Sequence, residues 1–331
     1  MMEQREEDYI GWLKEFNRES LPKVGMKNAI LGELKQAGLP VPPAFYVTVN
    51  TFRDALRHNN VVDRIYEVIS ELDPDNAVSV NQAAQDIREL IESNGMPQVL
   101  EEWIRGRYEY LSLHHSGKAE MPVAIRPSAV AEGLPDEAFA GQLDAYLWVK
   151  GEGVIRTILR CWANLFSARA ISYCMKMGLH YENISMSVCV QQMVNVKAAG
   201  FTFPLNLEDQ DHPKIVIQGN WGLVERTASG AVSIDEWLVD KATLEIIKAN
   251  IGIKRIKYVA DQDTGKLSSI DVPSDRQNVA CLTNEEVVEI AKTGKKIEEH
   301  FGTVKKIEWA VDKALNFPKN IFILQCDAGA A

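Results

Sequence analysis

Between residues 51 and 113 the apolar positions return every three or four residues, as at Val62, Ile65, Val68 and Ile69, and again at Ile87, Leu90 and Ile91. That period stacks them on one face and predicts a run of amphipathic helices. A longer helical pattern covers 151–177, with Ile155, Leu159, Trp162, Leu165, Phe166 and Ala170 on one broad face; aromatic residues at this spacing read as core packing. Elsewhere the apolar runs are short and strand-like: 123–125, 145–149, 184–194, 199–206 and 214–218. Residues 8–17 read as a short helix, and a second spans 28–37, closed by Gly38 and Pro40. Residues 241–277 read as strand and turn. Residues 283–301 read as a helix opened by the capping pattern Thr283-Asn284-Glu285-Glu286. The mixture of helices and strands predicts an α/β (α+β) protein.

Composition narrows the class. The 331 residues, 46% hydrophobic, suffice for one large or two ordinary cores, and the formal net charge of -10 argues against a nucleic-acid or anionic-membrane surface. Cys161, Cys174, Cys189, Cys281 and Cys326 are odd in number and embedded in apolar stretches, which predicts buried thiols rather than a disulfide framework or zinc ligands. The acidic first residues and the lack of a long apolar run give no membrane span and predict a cytoplasmic protein.

Four places carry candidate chemistry. Arg126 ends an apolar run and enters a small-residue segment with Pro127, Gly133 and Pro135, read as a loop returning through Gly141 and Gln142; its guanidinium suits phosphate, the alternative being a solvated or salt-bridged arginine. Lys27 stands at a helix start, where free N–H groups favour an anion, or is a solvated lysine. Gln191 ends a strand with an amide that offers donor and acceptor to a base edge, or pairs with a neighbour. Near the end, two strands joined by a turn would bring Glu308 and Gln325 together, and two oxygen ligands supplemented by phosphate oxygens make a plausible magnesium site. His114 and His115 read as part of a surface turn, without a third metal ligand nearby.

The stretch R-P-S-A-V-A-E-G-L-P-D-E-A-F-A-G-Q from Arg126 to Gln142 resembles the R-S-S-A-T-A-E-D-L-P-x-x-S-F-A-G-Q signature of the nucleotide-binding domain shared by phosphoenolpyruvate synthase, pyruvate phosphate dikinase and rifampin phosphotransferase. Pro127, Val130, Gly133 and Ala138 replace Ser, Thr, Asp and Ser. The resemblance continues through V-G-M-K-N-A-I-L-G-E for V-G-G-K-x-x-x-L-G-E, G-L-P-V-P-P-A-F for G-x-x-V-P-x-G-F, and C-W-A-N-L-F-S-A-R-A-I-S-Y for C-W-A-S-L-F-T-x-R-A-I-x-Y. It includes V-Q-Q-M for V-Q-x-M, A-A-G-F-T-F-P-L-N for A-x-G-V-x-F-T-x-D-P, the block from Asn220 to Val239, and K-I-E-W…I-L-Q for D-I-E-W…I-V-Q-x-R-P. Asp327 stands where that ending has Arg.

The resemblance implies an ATP-grasp fold of two subdomains, 1–182 on the lysine and arginine phosphate side and 183–331 on the adenine and magnesium side, with the nucleotide in the cleft between them. It implies ATP contacts from Lys27, Arg126, Gly141, Gln142, Gln191 and Glu225, with Lys27 and Arg126 as the catalytic cations, and magnesium held by Glu308 and Gln325. No phosphohistidine motif surrounds His58, His114, His115, His180, His212 or His300. The implied function is therefore an ATP-dependent, dikinase-type phosphotransferase subunit that phosphorylates a histidine on a separate partner subunit. That partner would bind a small acceptor, phenol-like in the manner of phenylphosphate synthase. Two alternatives stand beside it: a catalytically degenerate nucleotide-binding or structural regulatory subunit, favoured by Asp327, Pro127, Val130 and Ala138, and half of a split, pyruvate-acting synthase.

Overall fold

The computed structural model describes residues 5–131, 143, 145–203, 214–223, 233–261, 267–303 and 305–327. They divide into two compact units, 1–33 with 43–193, and 34–42 with 194–331. The first unit runs past the expected division at residue 182 because the strand that ends at Gln192 is hydrogen-bonded to two earlier strands of that unit.

The first unit opens with a helical turn α1 (Glu6–Tyr9) and an edge strand β1 (Ile10–Trp12), not the single helix that 8–17 suggested. Ile10 and Trp12 pair with Val47 and Phe45, and Gly11 lies against the Phe16 ring, so burial of this edge wins over local helix propensity. Then come α2 (Leu21–Val24), α3 (Met26–Gln36), β2 (Ala44–Val47) and four helices, α4 (Val49–His58), α5 (Val62–Ser70), α6 (Ala77–Asn94) and α7 (Gln98–Ser116). The 114–117 segment is not a turn: α7 continues to Ser116 and stops at Gly117, a left-handed cap. His114 stacks on Tyr110, and among the described residues no cluster of three His, Cys, Asp or Glu could hold a metal.

β3 (Val123–Ala131) and β4 (Tyr146–Val149) precede α8 (Gly153–Asn164) and α9 (Ala168–Lys176), and β5 (Ile184–Gln192) completes an antiparallel sheet in the order β1-β2-β5-β3-β4. The single long helix expected over 151–177 is two, because Ser167 accepts from Ala170 N and caps a new start. Trp162, Phe166 and Ile158 are buried in the main core with Val188, Val190, Val123 and Ile125 from one face of the sheet.

The second unit carries β6 (Val196–Phe203), β7 (Lys214–Trp221), β8 (Asp235–Asp240), β9 (Ile246–Asn250), a hairpin of β10 (Ile256–Ala260) and β11 (Leu267–Asp271), α10 (Asn284–Phe301), β12 (Ile307–Asp312) and β13 (Ile321–Cys326). Its main sheet runs β13-β12-β6-β7-β8-β9. α10 begins in the expected capping box of Thr283 and Glu286 and lies against β6, β7 and β8. Trp309 points to that helix-covered face, where a side chain at Gly200 or Gly219 would collide with its indole. A fully buried ion pair, Asp235 with Lys254, ties β8 to the segment after β9, and the same carboxylate accepts from Gly252 N and Cys281 N at 3.0 and 2.7 Å. All five cysteines are buried and unbridged. No helix among the described residues is long and apolar enough to cross a membrane.

Candidate functional site

Alternation along β3 and β5 sorts the first sheet into two faces. Val123 and Ile125, with Val188 and Val190, enter the core; Ala124, Arg126 and Ser128, with Ser187, Cys189 and Gln191, face the other way. The register pairs Arg126 with Cys189, Ala124 with Gln191 and Ala44 with Gln191. Arg126 is therefore inside a strand rather than at its end, since β3 runs on to Ala131. Pro127 is tolerated there because, among the described residues, β4 pairs only with Val123 and Ile125 and none is left short of a donor on that side.

The start of α3 packs onto this same polar face. Asn28 Nδ2 donates to Ser187 Oγ at 3.1 Å, Tyr46 Oη donates to Asn28 O at 2.8 Å, and Gly25 sits over Ser128. Gly25 adopts φ +76°, and a Cβ there would lie 2.3 Å from Ser128 Oγ, so the first glycine of V-G-x-K is required twice over. Met26, replacing the second, occupies the first position of α3, where no such constraint applies. Ala29 N donates to Gly25 O, closing the first turn with Lys27 in it, where first-turn N–H groups lack intrahelical partners. Lys27, Arg126 and Gln191 are thus brought to one side of one sheet.

Gln191 is 1% exposed, and its Nε2 donates to no described residue. A buried amide hydrogen without an acceptor is costly in the protein alone, and is explained where a ligand supplies the acceptor. Beneath Arg126, burial pushes the Cys189 thiol up to about 12, the nearby guanidinium opposing it. Cys189 is thereby a neutral packing residue of this face.

In the second unit the equivalent surface is the sheet face opposite α10. Glu308 pairs directly with Gln325 across β12 and β13, as the spacing of the two strands predicted, and with Phe201 across β6. Plain alternation would have put Gln325 on the same side as Ile323, toward α10. A β-bulge between the Glu308–Gln325 and Trp309–Ile323 pairs turns Gln325 onto the face of Glu308, a device the sequence did not signal. Gln325 Nε2 donates to Asp327 Oδ1 at 3.0 Å, which orients the amide. Two oxygen donors on neighbouring strands suit a magnesium ion that takes its other ligands from phosphate and water. Gly141, Gln142 and Glu225 lie outside the described residues, as do Gly133 and Ala138.

Comparison with known proteins places the chain in a family. Residues 21–329 match the family described as pyruvate phosphate dikinase, AMP/ATP-binding domain. The chain is 38% identical over 306 residues to a probable phosphoenolpyruvate synthase of Methanocaldococcus jannaschii, covering 92% of this chain and 26% of that protein. It is 37% identical over 342 residues to a probable phosphoenolpyruvate synthase of Staphylothermus marinus, covering 97% and 41%. It is 35% identical over 346 residues to the phosphoenolpyruvate synthase of Pyrococcus furiosus, covering 92% and 42%. The chain spans less than half the length of these relatives. With the match running from residue 21 to residue 329, the chain belongs to the AMP/ATP-binding domain family of pyruvate phosphate dikinase.

Proposed function

We propose that this chain is the Mg-ATP-binding part of a dikinase-type phosphotransferase whose phosphoryl-accepting histidine lies outside these 331 residues, on a partner subunit. The observation that carries the reading is the convergence of Lys27, the α3 N-terminus, Arg126 and the unsatisfied amide of Gln191 on one face of the first sheet.

Each residue has a role its chemistry fits. Lys27 and the first-turn N–H groups of α3 neutralise phosphate oxygens. Arg126 adds a fork of donors to the same anion. Gln191, held rigid by burial, orients the adenine edge and excludes water from it. Glu308 and Gln325 would hold magnesium, which when bound would supply positive charge to the phosphate oxygens. Catalysis by such a site is positioning and electrostatics rather than covalent chemistry.

For the acceptor, the names of the relatives favour pyruvate, and the phenol-type acceptor expected from a split architecture has no observation behind it. The degenerate alternative rests chiefly on Asp327 in place of Arg. Two experiments bear on these points. Thermal unfolding of the full chain should shift upward in Mg-ATP, by the equivalent of about 2.7 kcal/mol at a hundredfold excess over Kd, and the shift should collapse in EDTA. An unchanged midpoint at millimolar Mg-ATP would instead favour the degenerate reading. Once a histidine-bearing partner is supplied, AMP release that depends on pyruvate and not on phenol would fix the acceptor class; the reverse dependence would restore the phenol reading.

A further inference from the structure

Two cross-strand rows end side by side on the open face of the second sheet. By register the inner row is Phe201, Glu308 and Gln325. One position further out, beyond the Ile307–Thr202 pair, stand Phe203, Lys306 and Asp327, and Asp327 N donates to Lys306 O at 3.0 Å. The six side chains therefore share one patch, with the candidate magnesium ligands in its first row.

Lys306 behaves unusually in that patch. Asp327 is its cross-strand neighbour, yet Lys306 forms no ion pair with any described residue; the Asp327 carboxylate takes the Gln325 amide instead. The ammonium lies over aromatic rings, 4.4 Å from the Phe201 centroid and 5.6 Å from that of Phe203. Ring faces hold a cation in place without cancelling its charge. The result is a half-buried, pre-positioned positive charge on the row next to Glu308, able to meet an anion.

The sequence supplies an independent observation. The D-I-E-W of the resembled ending is read here as Lys306-Ile307-Glu308-Trp309, and its Q-x-R as Gln325-Cys326-Asp327. Acid and base have changed places between two positions that the structure makes adjacent, so the summed charge of the pair is unchanged. A chain merely drifting out of use has no reason to compensate one reversal with the opposite reversal across the strand.

We propose that Lys306 is a polyphosphate-binding residue of the nucleotide site, supplying from the position before β12 the cation that the resembled ending carries just after β13. The inference rests on the nucleotide reading above and removes the main objection to it, since Asp327 then orients Gln325 while Lys306 carries the charge. It also assigns Phe201 and Phe203 the task of holding the ammonium.

The test is calorimetric titration of the full chain, in excess magnesium, with ATP, AMP and adenosine as separate probes. Lys306→Met keeps the apolar stem over the rings and removes the charge; it should weaken ATP by about tenfold or more while leaving adenosine within about twofold. Lys306→Arg should stay near the native affinity, because guanidinium also stacks on rings. The exchange Lys306→Asp with Asp327→Arg should bind ATP more tightly than Lys306→Asp alone. Thermal unfolding of each variant without nucleotide confirms folding. Native ATP affinity in Lys306→Met, alongside a loss in Lys27→Ala, would overturn the assignment of Lys306 and leave the nucleotide reading standing. Equal loss of ATP and adenosine would also overturn it, leaving Lys306 a role in shaping the face. A native chain that binds no ATP at all would overturn both.

Discussion

The two units solve the same problem differently. Each presents one apolar sheet face to a helical core and turns the other toward candidate chemistry, but the first covers part of that polar face with α3 and the second leaves a row of charges along it. In the first unit the segment that carries Lys27 is clamped onto the sheet: Gly25 lies against Ser128, and Asn28 is bonded to Ser187. In the second, Lys306 and Asp327 flank strand ends, joined by the bond from Asp327 N to Lys306 O, and there the charges are reversed relative to the resembled ending. The difference is between a cation placed by backbone packing at a helix start and one seated on ring faces beside a strand pair.

The largest effect should come from the framework of the second unit. Lys254→Met leaves Asp235 buried and without its cation, and should cost about 3–5 kcal/mol in denaturant unfolding; a cost under about 1 kcal/mol would show that the pair does not anchor that sheet. Next is the clamp of the first unit. Gly25→Ala forces a side chain into a backbone conformation only glycine tolerates, which costs on the order of 1–3 kcal/mol, plus the collision with Ser128. Adding Ser128→Ala should recover the collision and not the backbone strain, so a double variant with full native stability would refute the conformational half of the explanation.

Gln191→Leu is the smallest and most diagnostic change. Because the Gln191 Nε2 has no acceptor among the described residues, an apolar replacement should leave the nucleotide-free protein unchanged or more stable by about 1 kcal/mol. Affinity for Mg-ATP should meanwhile fall by about tenfold. Loss of stability without loss of affinity would make Gln191 a structural residue and remove adenine recognition from the first sheet.

Much of this was legible in the chain because the relevant signals are local. The Thr283–Glu286 capping box, the helical period of residues 51–113 and the apposition of Glu308 and Gln325 all follow from spacing within a few residues or across one turn. What escaped depends on partners distant in sequence. The strand at Ile10–Trp12 exists because Ala44–Val47 is there to pair with it, and the extension of β3 through Pro127 depends on which side β4 leaves open. The bulge that re-aims Gln325, and the aromatic seat of Lys306, require knowing which strands are neighbours. The pairing of Lys306 with Asp327 was present in the letters, but it becomes an exchange of charge only once the two positions are seen to adjoin.

The most direct test of the nucleotide reading is calorimetric titration of the full chain with Mg-ATP, repeated on Lys27→Ala and Glu308→Ala. The two substitutions probe the two units separately. Saturable binding that each weakens by about tenfold or more, roughly 1.4 kcal/mol, is the predicted result. A native chain that takes up no heat at millimolar ATP, or binding untouched by either change, would contradict the assignment of these sheet faces to the nucleotide.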